Sequence, residues 1–221
     1  ETHKIKEFDD EKYIKYKLIL TPDDFFMFGS GFGDDEADMT PVFEDIVDYE
    51  KQDLIKEKVL IPASSVKGAI SHRTTYHYNL INKNFIKENG ENKAEVVETI
   101  FGSKKDKEKD SFKGNILISD VYLDKTSSKV FDHVSIDRFT GGAIDSALFQ
   151  EKTISSKETF TLEILINKEK VEVKENDEGK IALEAFEKAL KDITTGMLSL
   201  GGATTKGHGI FRGKVLKNGV E

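Results

Sequence analysis

A serine pair and two cations stand close together where a short apolar segment gives way to a helical pattern, within residues 60–77. A proline stops the strand, and Ser64 or Ser65 is placed to cap the exposed N–H groups of the following helix. These amides and the positive end of the helix dipole attract anions, and Lys67 and Arg73 add full positive charge. The segment therefore predicts a corner that binds phosphate. A well-capped helix with a solvated basic face is the alternative.

A cation and an aromatic ring stand at the turn of a predicted β-hairpin. Residues 130–136 and 147–154 alternate as its two arms, and the connection 137–146 is too long for a tight turn. Arg138 and Phe139 lie in this connection, a combination that suits stacking on bases and phosphate contact with a single strand. An ordinary flexible hairpin is the alternative.

A glycine-rich segment, residues 201–209, follows the clearest helical pattern of the chain, residues 181–200. It offers small residues, hydroxyl groups and Lys206, which makes it a candidate phosphate cradle. A Walker loop is excluded, because that motif precedes its helix and has a different spacing.

A run of carboxylates follows the alternating glycines of residues 28–33. A loop of this length inside a compact domain is usually functional or disordered. Calcium binding is a weak alternative because the spacing does not match the helix–loop–helix calcium pattern, and a solvated acidic loop is another. The carboxylates are Asp34, Asp35, Glu36, Asp38, Glu44, Asp45, Asp48, Glu50 and Asp53.

The composition bounds the class of protein. With 221 residues the chain is long enough for one large domain or two small ones. The net charge of −8 argues against a generic nucleic-acid binder unless positive charge gathers on one face. The only arginines, Arg73, Arg138 and Arg212, each lie in or beside a Gly-rich or Ser-rich segment. Cys is absent, which excludes disulfides and thiolate metal sites and fits a cytoplasmic protein, and no apolar run predicts a membrane partner.

The predicted elements run strand, helix, strand, hairpin, strand, helix, strand. This order predicts an α+β fold with a ferredoxin-like or RNA-recognition-type core. We expect one domain over residues 1–221, with large insertions at about 21–58, the acidic loop, and 125–155, the hairpin. The strands outside the hairpin are predicted at 13–20, 115–123, 159–166 and 210–216, and a turn at Asn89-Gly90.

Four segments in this order resemble the RAMP superfamily, most closely the repeating backbone subunits of type III CRISPR effector complexes. The first, Ile-Pro-Ala-Ser-Ser-Val-Lys-Gly, is similar to the family's Ile-Pro-Gly-Ser-Ser-Leu-Lys-Gly. A Phe-Gly element with its next strand, a thumb hairpin and a C-terminal glycine-rich loop follow. They occupy residues 61–68, 100–103 with 114–120, 137–143 with 147–151, and 200–209.

The resemblance implies a function. Such subunits stack as copies along a guide RNA, together with other type III subunits, and each thumb wedges aside a base of the guide–target duplex. Nucleolytic members cleave complementary target RNA with a divalent metal, and Mg²⁺ is the ion expected. A non-catalytic structural or capping subunit that binds guide RNA only is the first alternative. An unrelated small-molecule enzyme on the same fold is the second, because fold does not fix function.

The resemblance also implies site residues. Asp38 is the expected catalytic residue, because residues 38–42 are nearest to the family's Asp-x-Pro pattern, with one extra residue. Asp34 and Asp35 are the runners-up, and the metal ligands are not assigned. Ser71 stands where the family usually has Arg, and Arg73 follows two positions later. The expected RNA-binding residues are Ser64, Ser65, Lys67, Arg73, Arg138, Phe139, Thr140, Gly202, Thr205, Lys206 and His208.

Overall fold

The computed structural model of the chain describes residues 10–84, 95–103, 110–172 and 177–221. The turn predicted at Asn89-Gly90 lies outside these residues. Single 3₁₀ turns lie at Asp10–Lys12 and Thr204–Lys206. The described strands and helices, in chain order, are β1 (Tyr13–Pro22), β2 (Phe43–Asp48), β3 (Asp53–Ile61), α1 (Ala63–Ile81), α2 (Glu95–Phe101), β4 (Gly102–Ser103), β5 (Phe112–Lys113), β6 (Ile116–Ile118), β7 (Val121–Leu123), β8 (Ser127–Ile136), β9 (Ala143–Ser155), β10 (Phe160–Asn167), α3 (Lys168–Glu172), α4 (Glu178–Thr194) and β11 (Phe211–Lys217).

The core forms between a four-stranded antiparallel sheet and two helices. The strand order is β11-β1-β10-β6, so β1 lies in the interior of the sheet. Alternate residues of β1 are buried because successive side chains of a strand point to opposite faces. Tyr16, one of them, packs edge-on against Phe186 of α4, with ring centroids 5.3 Å apart. The helices therefore cover one face of the sheet.

Helices and strands are interspersed along the chain. Both α1 and α4 lie between two strands of the central sheet in chain order. Counting only this sheet with α1 and α4, the order along the chain is β-α-β-β-α-β, and all neighbouring strands are antiparallel. The predicted α+β class is confirmed. The ferredoxin-like or RNA-recognition-type subclass stays a prediction, with which this strand order agrees.

The strand predicted over residues 115–123 is two strands in two different sheets. β6 pairs with β10 in the central sheet, whereas β7 pairs with β3 in a separate sheet of order β2-β3-β7. The chain changes sheets at Ser119 and Asp120. The inward-facing positions change phase across this break, from Ile116 and Ile118 to Val121 and Leu123, so one alternating strand does not account for both segments.

The acidic stretch is a loop only in its first half, which corrects the prediction of one long loop. Its second half folds into the antiparallel hairpin β2–β3, in which Ile46 lies opposite Ile55 and Val47 opposite Leu54. These β-branched and apolar pairs stabilise strands, although carboxylates surround them.

Helix α1 is not capped by Ser64 or Ser65, and that prediction was wrong. The helix begins at Ala63 with Pro62 at the N-cap position, so both serines lie inside its first turn. Asp120 provides the cap from another segment, because its Oδ1 accepts the Ala63 N–H at 2.7 Å. The proline at the N-cap position has no side-chain hydrogen-bond acceptor, so it cannot cap the helix itself.

The helix predicted over residues 181–200 is shorter at its C-terminal end. α4 ends at Thr194, and Gly196 follows with φ of +77°. A left-handed glycine just after the last turn is a common helix stop. The hairpin, by contrast, is longer than predicted. β8 begins at residue 127 and β9 ends at residue 155, and only residues 137–142 remain at the tip.

Candidate nucleic-acid interface

Asp34 shapes the acidic loop from within. Its Oδ1 accepts the backbone N–H groups of Glu36 at 2.8 Å and Ala37 at 2.9 Å. Its Oδ2 lies 3.2 Å from Lys152 Nζ on β9. The Glu36 hydrogen bond is the largest influence on the pKa of Asp34, and with the Ala37 and Lys152 contacts it lowers that pKa against the effect of burial. Asp34 therefore has a structural role in this loop.

Asp38 is fixed against the base of the hairpin formed by β8 and β9, which is called the thumb from here on. Its Oδ2 accepts the backbone N–H of Gln150 at 2.8 Å. The adjacent Met39 pairs with β9 through its own backbone, since its N–H donates to Gln150 O at 3.1 Å and its O accepts from Lys152 N at 2.8 Å. Asp38 itself remains exposed, as does Asp35. All three candidate carboxylates are exposed, and two of them are held in place: Asp34 by the backbone of its own loop, and Asp38 by the backbone of β9.

A polar cluster surrounds the buried side chain of Glu151 on β9 and also contains His133, Lys206 and His208. Glu151 is 0% exposed. Its Oε2 lies 2.6 Å from Lys206 Nζ and 3.1 Å from His133 Nε2, and its Oε1 lies 3.5 Å from His208 Nδ1. Burial by itself raises the pKa of Glu151, but the Lys206 hydrogen bond and the positive charge around the carboxylate outweigh it and lower that pKa.

Aromatic rings enclose this cluster on the thumb side. The hairpin register places Phe131 opposite Glu151 and His133 opposite Phe149. The His133 and Phe149 rings stack with centroids 4.8 Å apart, and Lys206 Nζ lies 4.8 Å above the Phe149 ring. The ion pair joins a buried carboxylate to a partly exposed lysine, and it attaches the C-terminal glycine-rich loop to the thumb.

The glycine-rich loop also packs on the chain that follows β1. Gly202 N–H donates to Met27 O at 2.7 Å, and Gly209 N–H donates to Phe25 O at 2.8 Å. Gly201 has φ of +91°, and a Cβ there would lie 2.4 Å from Met27 O. Only glycine fits this approach. The loop leaves Thr205 exposed.

The tip of the thumb is ordered by Asp137. Its Oδ1 accepts the backbone N–H groups of Phe139 at 2.7 Å and Thr140 at 2.8 Å, and its O accepts the Gly141 N–H. The Thr140 and Phe139 hydrogen bonds lower the pKa of Asp137. Arg138 is exposed and Phe139 is 99% exposed. The tip therefore presents a cation and a ring from a turn whose backbone is already fixed.

Arg73 lies apart from the other candidate residues. Its Nε is 2.5 Å from Asp192 Oδ2 on α4, and His77 Nε2 is 2.7 Å from the same oxygen. Burial raises the pKa of Asp192, but the bonds from His77 and Arg73 lower it further than burial raises it. Arg73 thus joins α1 to α4. Of the candidates at the start of α1, Ser64 and Ser65 are exposed and Lys67 is half-buried.

Backbone hydrogen bonds connect most of the candidate segments at one end of the central sheet. Val42 N–H donates to Phe28 O at 2.8 Å, and Leu60 N–H donates to Val42 O at 3.1 Å. These bonds link the strand before α1 to the chain that holds the glycine-rich loop. The structure therefore brings together the start of α1, the acidic loop, the base of the thumb and the glycine-rich loop. Arg138, Phe139 and Thr140 lie at the far end of the thumb.

The residues fit a magnesium ion only with help from a substrate. Across the described ranges, no group of three or more His, Cys, Asp or Glu side chains is placed to hold a metal. Mg²⁺ usually keeps several waters and takes one or two carboxylates together with phosphate oxygens. The Asp38 carboxylate meets that requirement when an RNA phosphate supplies further ligands.

Among the residues that the structure describes, no helix is long and apolar enough to cross a membrane.

Comparison with known proteins places this architecture in a family. A model of the RAMP superfamily matches residues 8–212. The chain belongs to the RAMP superfamily. A solved structure described as the Type III-B Cmr-beta bound to cognate target RNA contains a chain with the same fold, at a TM-score of 0.53 and 18% sequence identity. The match covers 94% of this RAMP chain but only 61% of that chain. No curated protein matches the sequence.

Sequence reasoning missed the polar cluster around Glu151 of this RAMP chain apart from Lys206 and His208. The available signal was the pattern Phe131-x-His133 in one arm of the hairpin and Phe149-x-Glu151 in the other. In an antiparallel pair these residues share one face, but only the register shows that they lie opposite each other.

Proposed function

We propose that this RAMP chain is a guide-RNA-binding backbone subunit of a cytoplasmic type III CRISPR ribonucleoprotein, with metal-dependent endonucleolytic cleavage of complementary target RNA. One observation carries the proposal. Adjacent residues of β9 hold the two functional loops, since Gln150 N–H binds Asp38 at 2.8 Å and Glu151 binds Lys206 at 2.6 Å. A carboxylate at the edge of β9 and a glycine-rich loop beside the Glu151 side chain are thereby both held by one strand. The neighbour's description as a target-bound type III-B assembly supports the same function.

Guide-RNA binding is assigned to the end of the sheet where the segments meet. The first turn of α1 offers Ser64, Ser65 and Lys67, and the glycine-rich loop offers the exposed Thr205. Hydroxyl groups and lysine side chains are common binding groups for the sugar–phosphate backbone, whereas the first N–H of α1 is already bound by Asp120. Lys206 is already paired with Glu151, so its main role is to hold the loop while its charge favours phosphate nearby.

The thumb tip is assigned to the bases. Phe139 provides a fully exposed ring, and Arg138 stands beside it. A rigid aromatic side chain can stack on an unpaired base, and an arginine can neutralise the adjacent phosphate. Because Asp137 has already ordered the turn, little further conformational entropy is lost on binding.

Cleavage is assigned to Asp38. Its carboxylate, oriented by the Gln150 N–H, would hold Mg²⁺ together with a phosphate oxygen of the target, or position a ribose 2′-hydroxyl next to its phosphate. When bound, the ion supplies Lewis-acid stabilisation of charge on the phosphate. Asp38 contributes negative charge at a fixed place beside the thumb base.

The test uses the chain in its native ribonucleoprotein. Wild-type particles should contain a discrete short RNA and cut a complementary RNA at regular intervals once Mg²⁺ is added. Asp38→Ala should keep guide and target binding within about twofold and reduce cleavage by roughly 10²-fold or more, the scale of losing one acid–base or metal-positioning group. Asp35→Ala, a neighbouring exposed carboxylate, is the matched control and should cut normally. Unchanged cleavage by Asp38→Ala removes Asp38 from the active site.

A non-catalytic structural or capping subunit is the second candidate. The observation that favours it is the lack, in the described ranges, of three grouped metal-binding side chains. It predicts wild-type particles that bind complementary RNA tightly but leave it intact at every Mg²⁺ concentration.

A further inference from the structure

The polar cluster around Glu151 contains two buried atoms that lack hydrogen bonds. Glu151 Oε1 and His208 Nδ1 lie 3.5 Å apart, and within the described part of the chain neither atom donates or accepts a hydrogen bond. A buried polar atom without a hydrogen bond destabilises a fold. A proton on Nδ1 serves both atoms, because Nδ1–H is a donor and a carboxylate oxygen is an acceptor. The geometry therefore favours the form of His208 that carries a proton on Nδ1.

This form determines where His208 takes a second proton. With Nδ1–H directed at Glu151, the other ring nitrogen, Nε2, has no proton in the neutral imidazole and gains one in the imidazolium. Histidine is the side chain that ordinarily gains or loses a proton between about pH 5 and pH 8. His208 can therefore change from neutral to cationic near neutral pH while Nδ1–H stays beside Glu151.

The charges of the cluster show what this proton does. Lys206 is the one lysine of the glycine-rich loop, and its Nζ lies 2.6 Å from Glu151 Oε2. The carboxylate thereby cancels the charge of that lysine, and a phosphate gains little from approaching the pair. A proton on His208 gives the three groups one net positive charge. The Lys206 side chain is 37% exposed and that of His208 only 12%, so a phosphate meets this charge at Lys206.

The second histidine of the cluster, His133, has a different position. Its Nε2 lies 3.1 Å from Glu151 Oε2 and 3.3 Å from Lys206 Nζ. The carboxylate oxygen that it approaches is therefore already bonded to Lys206. The oxygen beside His208 has no such bond within the described residues. This difference favours His208 as the residue that takes the proton.

The thumb strand β8 brings one further cation, Lys129, to this region. Its Nζ lies 4.5 Å from the centroid of the Phe131 ring, and that centroid lies 5.7 Å from the centroid of the His208 ring. The chain after β1 contributes the uncharged ring of Phe25, 6.1 Å from His208. A lysine ordinarily keeps its charge near neutral pH, so Lys129 adds no pH dependence of its own.

We propose that His208 takes a proton from solvent when the glycine-rich loop binds an RNA phosphate. The imidazolium then shares the Glu151 carboxylate with Lys206, and the ammonium group of Lys206 attracts the phosphate. His208 is thus a positioning residue that acts through Glu151. Because binding takes up a proton, affinity for RNA increases as the pH falls. The inference rests on the proposed RNA-binding function and adds its regulation by pH.

Isothermal titration calorimetry of the full chain with a single-stranded oligouridylate measures the proton directly. Titrations at about pH 7 in buffers of different ionisation enthalpy should show an uptake of up to about one proton per chain. Phosphodiesters and uracil do not titrate near this pH, so the proton belongs to the protein. In the assigned NMR spectrum of the wild type, the ring resonances of His208 should move towards the imidazolium position when the RNA is added.

His208→Asn tests the residue itself. The asparagine amide can donate a hydrogen bond to Glu151 Oε1, but it does not take up a proton. Wild-type affinity should rise about three- to tenfold between about pH 8 and about pH 6, whereas the variant should keep its affinity over this range. The slope of log affinity against log salt should be steeper at the lower pH by up to about 0.7 in the wild type only. His72→Gln, which removes an exposed histidine of α1, is the matched control and should behave like the wild type.

The outcomes separate this inference from the RNA-binding function. Proton uptake in the wild type that is lost in His208→Asn supports the inference. Oligouridylate binding without proton uptake, an immobile His208 resonance, or full uptake in His208→Asn overturns it and leaves the RNA-binding function intact. Failure of the wild type to bind oligouridylate at any pH overturns both. Calorimetry and NMR use the wild-type chain, so the inference is tested even where His208→Asn does not fold.

Discussion

Glu151 Oε2 lies 2.6 Å from Lys206 Nζ, so a fully buried carboxylate of the thumb is bonded to the glycine-rich loop more than fifty residues later in the chain. Neither element can change its orientation without breaking this bond. The Asp38 contact to Gln150 is on the neighbouring residue of β9. The base of the thumb therefore sets the relative positions of the acidic loop and the glycine-rich loop.

Glu151→Gln should destabilise the fold and loosen the glycine-rich loop. A hydrogen bond to a charged group contributes about 1.5–3 kcal/mol, and the amide leaves Lys206 without a counter-charge. Urea denaturation should show a loss of free energy of unfolding within that range. Glu163→Gln, which removes the exposed partner of Lys17, is the control and should cost about 1 kcal/mol or less. Equal losses in the two variants would contradict the special role of Glu151.

The stability of the protein should fall in acid because of two ion-paired carboxylates, the buried Glu151 and the half-buried Asp192. The folded-state pKa of Glu151 lies below its ordinary 4.5, and that of Asp192 lies below its ordinary 3.8. Groups of this kind add stability above the unfolded pKa, and this stability is lost as pH falls through the folded pKa. The free energy of unfolding should thus decrease progressively below about pH 4.5. The double variant Glu151→Gln with Asp192→Asn should show a smaller decrease, and an unchanged acid slope would count against these ion pairs.

The thumb tip should affect RNA binding without affecting folding. Phe139→Ser should weaken guide or target binding by about 1–3 kcal/mol, the value of one base stacked on an aromatic ring. Arg138→Ala should reduce the slope of log affinity against log salt by about 0.7, as expected for one phosphate contact with a single strand. Fluorescence anisotropy at several salt concentrations measures both effects. Tyr49→Ser, which also removes an exposed ring, should bind RNA normally.

At the start of α1, Asp120 and Ser65 are expected to have different roles: Asp120 stabilises the helix, and Ser65 binds RNA. Asp120→Ala should destabilise the protein by about 1 kcal/mol, because it removes the acceptor of the Ala63 N–H. Ser65→Ala should leave the melting temperature unchanged, because that serine does not cap the helix, and should lower affinity for guide RNA. Thermal denaturation and RNA titration of the two variants together decide this. A large loss of stability in Ser65→Ala would show instead that Ser65 caps the helix.

Substitution of two glycines in the C-terminal loop distinguishes the cost of backbone strain from the cost of a steric clash. Gly201 and Gly207 both have left-handed φ values, +91° and +88°. A Cβ at Gly201 would lie 2.4 Å from Met27 O, whereas nothing lies within 4 Å of one at Gly207. Gly207→Ala should cost about 1–2 kcal/mol from strain alone, and Gly201→Ala should cost more and displace the loop. Similar urea midpoints for the two variants would contradict the close approach to Met27.

Local patterns were sufficient to identify most elements of the fold. The alternation in β1 and β10 and the helical stripe of α4 reflect burial of one face, which the sequence records residue by residue. Element ends were less predictable because distant groups set them. Asp120 caps α1 across the chain, and β6 and β7 separate because each finds a different partner strand.

The sequence by itself determined the α+β class, the thumb hairpin with Arg138 and Phe139 at its tip, and membership of the RAMP superfamily, because these depend on local periodicity and short motifs. Only the tertiary structure decided that Asp38 is held by Gln150, that Glu151 is buried against Lys206, and that Arg73 binds Asp192. The physical reason is that hydrogen bonds and ion pairs act over a few ångströms in space. Their partners here lie 112, 55 and 119 residues apart along the chain.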